Sequence, residues 1–85
     1  MIGQFVISRA GHDKDIIYVV VAEEGDFVYV ADGRLKLPDS PKKKRRKHVQ
    51  QVNRTVEDAL LRRLSSGEPV EPEAIRYAIK LYKKE

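Results

Sequence analysis

The chain has 85 residues, of which 41% are hydrophobic and 35% are charged, so we expect one small globular domain and not a disordered segment. It contains no cysteine, which excludes disulfides and thiolate metal sites, and no apolar run approaches the roughly twenty residues of a membrane-spanning helix. The net charge is +4, from 17 lysines and arginines against 13 acids.

This positive charge is concentrated in the middle of the sequence. Between positions 34 and 54, nine lysines and arginines stand against the single acid Asp39, so the remainder of the chain is net acidic. The densest part is the run 42–47, six consecutive cations that we call the basic run. Such charges repel one another, so an anionic partner is expected, and a nucleic-acid backbone is the densest biological polyanion. The alternative interpretation is a solvated loop that is basic for solubility.

The first residues do not resemble a targeting signal. Residues 1–4 lack a basic stretch followed by a long apolar core, and Ile2 occupies the position where N-myristoylation requires glycine. We therefore expect a cytoplasmic protein, although residues 43–46 are also compatible with a weakly specific nuclear-import signal.

The first half of the chain predicts short strands separated by turns. Residues 5–7, the β-branched run 16–22 and residues 27–30 predict three strands, the second of them covered on much of both faces. After an Asp-Gly turn, the alternation at 35–37 is typical of a half-buried edge strand. The basic run contains no apolar residue, so it predicts a loop or a solvent-exposed edge strand. Four or five short strands favour a small antiparallel β-barrel.

From residue 53 the pattern becomes helical. Thr55 resembles an N-cap before a first amphipathic helix that ends at Ser66 and Gly67, and Pro72 fits the first turn of a second helix. Helices of about three turns are marginal alone in water, so we expect them to pack on the barrel. The predicted class is α+β, with a barrel over residues 1–52 and a two-helix extension over residues 53–85, packed as one compact unit.

The sequence offers little catalytic chemistry. Its four serines lack a nucleophile-elbow context, neither histidine has the setting of a general base, and no phosphate-binding glycine loop is present. His12 with Asp13 and Asp15 matches no metal-ligand spacing, so a solvated turn is expected there. We expect a protein that is not an enzyme, with no catalytic residues, cofactor, metal, small-molecule substrate or membrane partner.

Three segments together resemble a known family. They are Val-Ile-Ser-Arg-Ala-Gly-His-Asp-Lys at 6–14, Val-Ala-Asp-Gly-Arg at 30–34, and Pro-Lys-Lys-Lys at 41–44 with Lys-His-Val at 47–49. Over roughly residues 2–52 the chain resembles the bacterial KOW-domain RNA-binding proteins, which are similar to a KOW-bearing large-subunit ribosomal protein of archaea and eukaryotes. The resemblance implies an SH3-like barrel that binds RNA, in the first place ribosomal RNA of the large subunit. Asp15 departs from the pattern, which usually has glycine there, but aspartate tolerates left-handed backbone better than most residues.

The predicted RNA-binding residues combine the KOW-loop positions that the resemblance implies with the basic segments that follow. They are Arg9, Gly11, His12, Lys14, Arg34, Lys36, Lys42, Lys43, Lys44, Arg45, Arg46, Lys47 and His48. Because lysine and arginine neutralise phosphates and release counterions, we expect a strongly salt-dependent affinity. Tyr18, Phe27 and Tyr29 lie in strand patterns that predict core positions, so we expect recognition of the backbone of folded RNA and not of single-stranded bases.

Two further functions remain open from the sequence. The basic run could grip an acidic protein partner, although a peptide-binding barrel normally displays an aromatic groove. The two helices could instead belong to a nonspecific DNA binder, but the connection at 65–71 is longer than a helix-turn-helix requires, and the second helix begins with acids.

Overall fold

The computed structural model describes residues 1–84, which form a five-stranded antiparallel sheet followed by two helices. This confirms the α+β class. The elements are β1 (Gln4–Ser8), β2 (Ile17–Glu24), β3 (Phe27–Ala31), β4 (Lys42–Arg45), a 3-10 turn (Arg46–His48), β5 (Val49–Thr55), α1 (Asp58–Ser65) and α2 (Pro72–Lys83).

The sheet is strongly curled. Its strand order is β4-β3-β2-β1-β5, so the two edge strands are neighbours in sequence. In a flat sheet these edges would lie about 19 Å apart, whereas the four-residue step from Arg45 to Val49 spans at most about 14 Å. The sheet must therefore bend back on itself. Within residues 1–84 no backbone ladder joins β4 to β5, so the sheet is open and is not a closed barrel.

The curl creates an inner and an outer face, between which successive strand residues alternate. The inner face buries a cluster supplied by the sheet, namely Val6, Tyr18, Val20, Val28 and Val30. No helical residue contributes to this cluster, so the curl itself excludes water from it. The outer face is covered in part by the helices, whose Leu60, Leu64, Ile75 and Ile79 pack with Phe5, Val19 and Ala31. β2 supplies both clusters, which confirms that its apolar run is covered on both faces.

The helices begin and end close to their predicted positions, with one exception. Pro72 lies in the first turn of α2, and α1 ends at Ser65, with Ser66 as its C-cap before Gly67, which has a positive φ. The prediction that Thr55 caps α1 is wrong, because Thr55 is the last residue of β5 and pairs with Gln4 of β1. β5 thus continues past residue 52, and α1 begins only at Asp58.

The predicted strand at 35–37 is also wrong, since only an isolated bridge joins Leu37 to Ser40. The side chain of Asp32 accepts hydrogen bonds from the backbone N–H groups of Arg34 and Lys36, at 2.9 and 3.0 Å. These bonds close a compact turn and use the amides that a strand would need. Leu35 is 86% exposed as a result.

Candidate nucleic-acid interface

The first four residues of the basic run form the edge strand β4, which confirms one of the two structures predicted for them. β4 pairs with β3 so that Lys44 lies opposite Val28 and Lys43 lies opposite Tyr29. Residues directly opposite each other share a face, and Val28 belongs to the inner cluster. The strand period of two therefore turns Lys42 and Lys44 towards the inner face and Lys43 and Arg45 towards the outer face.

On the inner face, both lysines pair with one carboxylate, that of Asp13. Asp13 accepts hydrogen bonds from Lys42 Nζ and Lys44 Nζ, both at 3.0 Å, from Tyr18 Oη at 2.8 Å and from Ser8 Oγ at 3.0 Å. Lys44 is only 8% exposed and donates a further bond to the backbone carbonyl of Ala10 at 3.0 Å. We call Asp13, Lys42, Lys44, Tyr18 and Ser8 the inner network. It ties the β1–β2 loop to β4.

The pKa values of the inner network follow from this geometry. Burial raises the pKa of the Asp13 carboxyl, but the hydrogen bonds from Lys44, Lys42, Tyr18 and Ser8 outweigh it and hold this pKa well below its ordinary value. Burial also raises the pKa of the Tyr18 hydroxyl, and the hydrogen bond to Asp13 adds to the rise because a phenolate would face a carboxylate. At neutral pH Asp13 is therefore ionised and balances lysine charge inside the protein.

Arg46, at the start of the 3-10 turn, is also engaged within the chain. Its Nη2 pairs with Glu23 at 2.8 Å, and its Nε donates to the carbonyl of Gly25 at 2.7 Å. Glu23 also pairs with the Met1 ammonium group at 3.0 Å, and its pKa is lowered by the Arg46 hydrogen bond first and by Met1 second. Of the six cations of the basic run that were predicted to contact RNA, Lys42, Lys44 and Arg46 thus form ion pairs within the chain, although the side chains of Lys42 and Arg46 stay 32% and 37% exposed. Each meets a carboxylate that the sequence pattern did not assign to it.

On the outer face, Lys43 and Arg45 flank an aromatic ring. The Lys43 ammonium lies 4.2 Å from the centroid of Phe27, and the Arg45 guanidinium carbon lies 5.2 Å from it. Tyr29, opposite Lys43, extends the same surface. The prediction that Phe27 and Tyr29 are core residues is wrong, because both are only half-buried. We call Phe27, Tyr29, Lys43 and Arg45 the outer basic patch.

The positive charge of the outer basic patch is not balanced by an ion pair. Within residues 1–84 neither Lys43 nor Arg45 pairs with a carboxylate, and the same holds for the exposed Lys47 in the following turn. The acid closest in register is Glu24 of β2, which lies opposite Phe27. Three cations of the basic run therefore remain available to an external anion.

The β1–β2 loop brings two predicted residues to one end of the sheet. The backbone N–H of Arg9 donates to the carbonyl of His48 at 2.7 Å, so the loop lies against the 3-10 turn. The Arg9 guanidinium pairs with Asp15 at 3.1 Å and contacts Gln50 of β5. Asp15 has φ +72°, which confirms that aspartate accepts the left-handed conformation at the position where the family pattern has glycine.

The tip of the same loop presents the other predicted loop residues to solvent. Gly11 has φ +86°, and His12 and Lys14 are exposed and form no ion pair within the described chain. Because the inner network anchors the loop through Asp13, this tip is attached to the strand that carries the outer basic patch.

Arg34 and Lys36 are not gathered with the basic run. They lie in the turn against which α2 packs, where Arg76 donates to the carbonyl of Gly33. A Cβ on Gly33 would lie only 2.4 Å from the Pro72 carbonyl oxygen, so this contact requires glycine. Arg34 lines a groove beside α2, together with cations of the helix itself.

Two functional features were missed by sequence reasoning. The first is the inner network, for which the strand period offered a signal, because an all-cationic strand with one buried face needs an internal carboxylate. The second is the groove beside α2, which is lined by Arg76, Lys80 and Lys83 of that helix and by Lys84 at its C-cap.

Among residues 1–84, no three histidine or acidic side chains lie close enough to hold a metal ion. Neither helix of that region has the length and apolar character needed to cross a membrane. No protein-family model matches the sequence, and no curated protein is significantly similar to it.

Proposed function

We propose that this protein binds folded RNA by contacting phosphates through the outer basic patch, Lys47 and the tip of the β1–β2 loop. The observation that carries the proposal is the division of the basic run into balanced and unbalanced charges. Lys43, Arg45 and Lys47 form no internal ion pair, whereas Lys42 and Lys44 hold the binding loop in place through Asp13. Lysine and arginine presented on a rigid strand suit the regular spacing of a nucleic-acid backbone.

The curled sheet supports the further proposal that this is an open, SH3-like form of the KOW barrel, with no ladder between its two edge strands. Five short antiparallel strands, pairing of β1 with β5 and convergence of the edge strands at a three-residue turn are features expected of such a barrel. The resemblance to the KOW proteins then makes ribosomal RNA of the large subunit the proposed target. The protein would act in the cytoplasm as a binding component without catalytic activity.

The contacts favour recognition of the RNA backbone. Phe27 is occupied by its own neighbours Lys43 and Arg45, so its ring is less accessible to an RNA base. Lysine makes point-charge contacts, whereas Arg45 adds planar donors that can grip a phosphate in a bidentate manner. Affinity should therefore depend steeply on salt and only weakly on sequence.

The test compares the RNA affinity of variants that lack the unpaired cations of the basic run with that of a variant that lacks an exposed cation on α1. Lys43→Gln, Arg45→Gln and Lys47→Gln are made singly and together, with Arg62→Gln on the exposed side of α1 as the control. Binding to a 20-base-pair RNA duplex is measured by fluorescence anisotropy from 50 to 300 mM salt. Each outward variant should lower the slope of log Kd against log salt by roughly one, and the triple variant should weaken binding about 100-fold.

Two results would overturn the proposal. If the triple variant and Arg62→Gln bind the RNA duplex with equal affinity, the outer basic patch is not part of the RNA-binding site. Tighter binding of a poly-glutamate peptide than of the RNA duplex, with the same dependence on the three cations, would favour an acidic protein partner. Ribosome association is tested separately, by co-sedimentation of the tagged protein with the large subunit in a sucrose gradient and its loss in the triple variant.

A further inference from the structure

A second concave surface lies on the helical side of the molecule. This groove, of about 690 Å³, runs between the end of the β1–β2 loop, the Asp32–Gly33 turn and one face of α2. We call it the α2 groove. It shares no lining residue with the outer basic patch, so the two surfaces are separate.

The acids of the α2 groove are already engaged. Asp15 pairs with Arg9, and Glu73 pairs with Arg76 at 3.2 Å. Asp32 accepts two hydrogen bonds from the backbone of its own turn. The negative charges that line the groove are thus committed to groups within the chain.

The cations of the groove are not committed in the same way. Arg34, Lys80, Lys83 and Lys84 line it, are exposed, and form no ion pair within the described residues. Lys83 and Lys84 each lie within about one turn of Lys80, so the three lysines gather at the C-terminal end of α2, and we call them the lysine row. Because the cations that line the groove outnumber its acids, the groove attracts a polyanion.

Tyr77 adds a feature that a simple electrostatic surface does not need. It lies one turn before Lys80 and Leu81, lines the groove, and is 62% exposed. Tyr77 also lines a second cavity, of about 330 Å³. Its ring is thus bordered by both hollows and largely open to solvent, where a flat partner can stack on it. Aromatic rings beside cations form the usual platform for unstacked bases.

We propose that the α2 groove binds a single-stranded segment of RNA, with an unstacked base on Tyr77 and phosphates on Arg34 and the lysine row. This inference rests on the proposed RNA binding and adds a second, chemically different contact to it. A double helix does not fit this role, because its bases are already stacked on one another and cannot reach a side-chain ring. The protein would thus hold a junction, with duplex on the outer basic patch and a single strand along α2.

The experiment uses two RNAs, a 20-base-pair duplex and the same duplex with a ten-nucleotide uridine extension. The full-length wild type should bind the extended RNA roughly tenfold more tightly than the blunt one. Lys80→Gln with Lys83→Gln, and separately Tyr77→Ala, should abolish this gain while leaving the affinity for the blunt duplex unchanged. Tyr77→Phe should keep the gain because it keeps the ring, and Arg62→Gln, outside both surfaces, should leave it intact.

The outcomes separate this inference from the proposed function. Equal affinity of the wild type for both RNAs would overturn the inference alone. Absence of binding to either RNA would overturn the proposed function and the inference with it. Binding of poly-glutamate that is lost in the lysine variant, without any gain from the uridine extension, would reassign the groove to an acidic polypeptide. Circular dichroism and thermal unfolding of each variant show whether it is folded, which these exposed positions predict.

Discussion

The two faces of β4 show how one run of like charges can serve two purposes. On the inner face, Lys42 and Lys44 are fixed by Asp13, and the surrounding side chains exclude much of the water. On the outer face, Lys43 and Arg45 lie over Phe27 without a carboxylate partner. The residues are adjacent in sequence and similar in chemistry. The strand period and the register of β4 against β3 turn Lys42 and Lys44 inward and Lys43 and Arg45 outward.

A run of cations in a sequence therefore overstates the number of cations that remain free to bind an external anion. Six cations on a flexible loop would all be available, but the same six on an edge strand and turn leave only about half of them free of internal partners. The inward lysines also have a structural role, because Lys42 and Lys44 attach the β1–β2 loop to β4 through Asp13.

Removing the charge of Asp13 should cause the largest loss of stability. Asp13→Asn keeps a hydrogen-bonding side chain but leaves the buried Lys44 without a counter-ion, which should lower the free energy of unfolding by about 3 kcal/mol. Urea unfolding followed by circular dichroism measures the loss. The control is Asp15→Asn, an exposed acid of the same loop whose pair with Arg9 should contribute less than about 1 kcal/mol.

A double variant distinguishes charge from packing in the same network. In Asp13→Asn with Lys44→Met, the buried position carries no charge, so at least half of the lost stability should return. If Asp13→Asn and Asp15→Asn unfold at the same urea concentration, the inner face of β4 is not held by Asp13, and the contrast between the two faces fails.

Lowering the pH should decrease the free energy of unfolding by breaking the ion pairs of the inner network, whereas the cations of the outer basic patch do not titrate in acid. The pKa of Asp13 in the folded protein is lower than its ordinary value of 3.8, so its contribution is present above that value and is lost as the pH falls towards the folded pKa. The loss should reach at most about 1.4 kcal/mol per pH unit for this one group. Glu23, whose pKa is also lowered, acts in the same direction.

Urea unfolding at pH values from 7 down to 2.5 measures this dependence. The Asp13→Asn and Lys44→Met double variant should show a shallower decline than the wild type, because only Glu23 and the weaker pairs remain to titrate. Parallel curves for the two proteins would contradict the role assigned to Asp13.

Much of the fold could be predicted because it depends on local patterns. The β-branched run around Val19, the proline at position 72 and the glycine at position 67 each determine an element regardless of what packs on it. Thr55 could not be placed, since only its pairing with Gln4 reveals that the strand continues. Strand pairing joins residues far apart in sequence, and a single sequence does not show which ones meet.

The candidate site was predictable in composition but not in orientation. The sequence shows the cations of the basic run, yet their inward or outward direction depends on the register of β4 against Val28 and Tyr29. It also depends on Asp13, which approaches from a loop about 30 positions earlier. Arg34 was grouped with the basic run because of its charge, whereas the packing of α2 on Gly33 places Arg34 in the α2 groove.

Arg46 and Lys47, which are neighbours in the 3-10 turn, should differ in the same way as the inward and outward residues of β4, but by a smaller amount. Arg46→Gln removes the pair with Glu23 and the bond to Gly25, which should destabilise the protein by about 1 kcal/mol. Lys47→Gln should change stability by less than about 0.5 kcal/mol, because Lys47 is exposed and pairs with no carboxylate of residues 1–84. In RNA binding the order should reverse, with Lys47→Gln giving the larger decrease in salt dependence. Paired urea unfolding and anisotropy titrations measure both, and the same ranking in both assays would contradict the division.

The smallest expected effect concerns the ring beneath the outer cations. Phe27→Leu keeps apolar bulk on β3 but removes the ring on which Lys43 and Arg45 lie, so the free energy of unfolding should fall by about 0.5 to 1 kcal/mol from the lost cation–π contacts. RNA affinity should change less than threefold, because the phosphates are bound by the charges and not by the ring. Anisotropy with the blunt duplex measures this directly. A tenfold loss would mean that Phe27 itself meets a base, and the outer face would then read unstacked RNA in the way proposed for Tyr77.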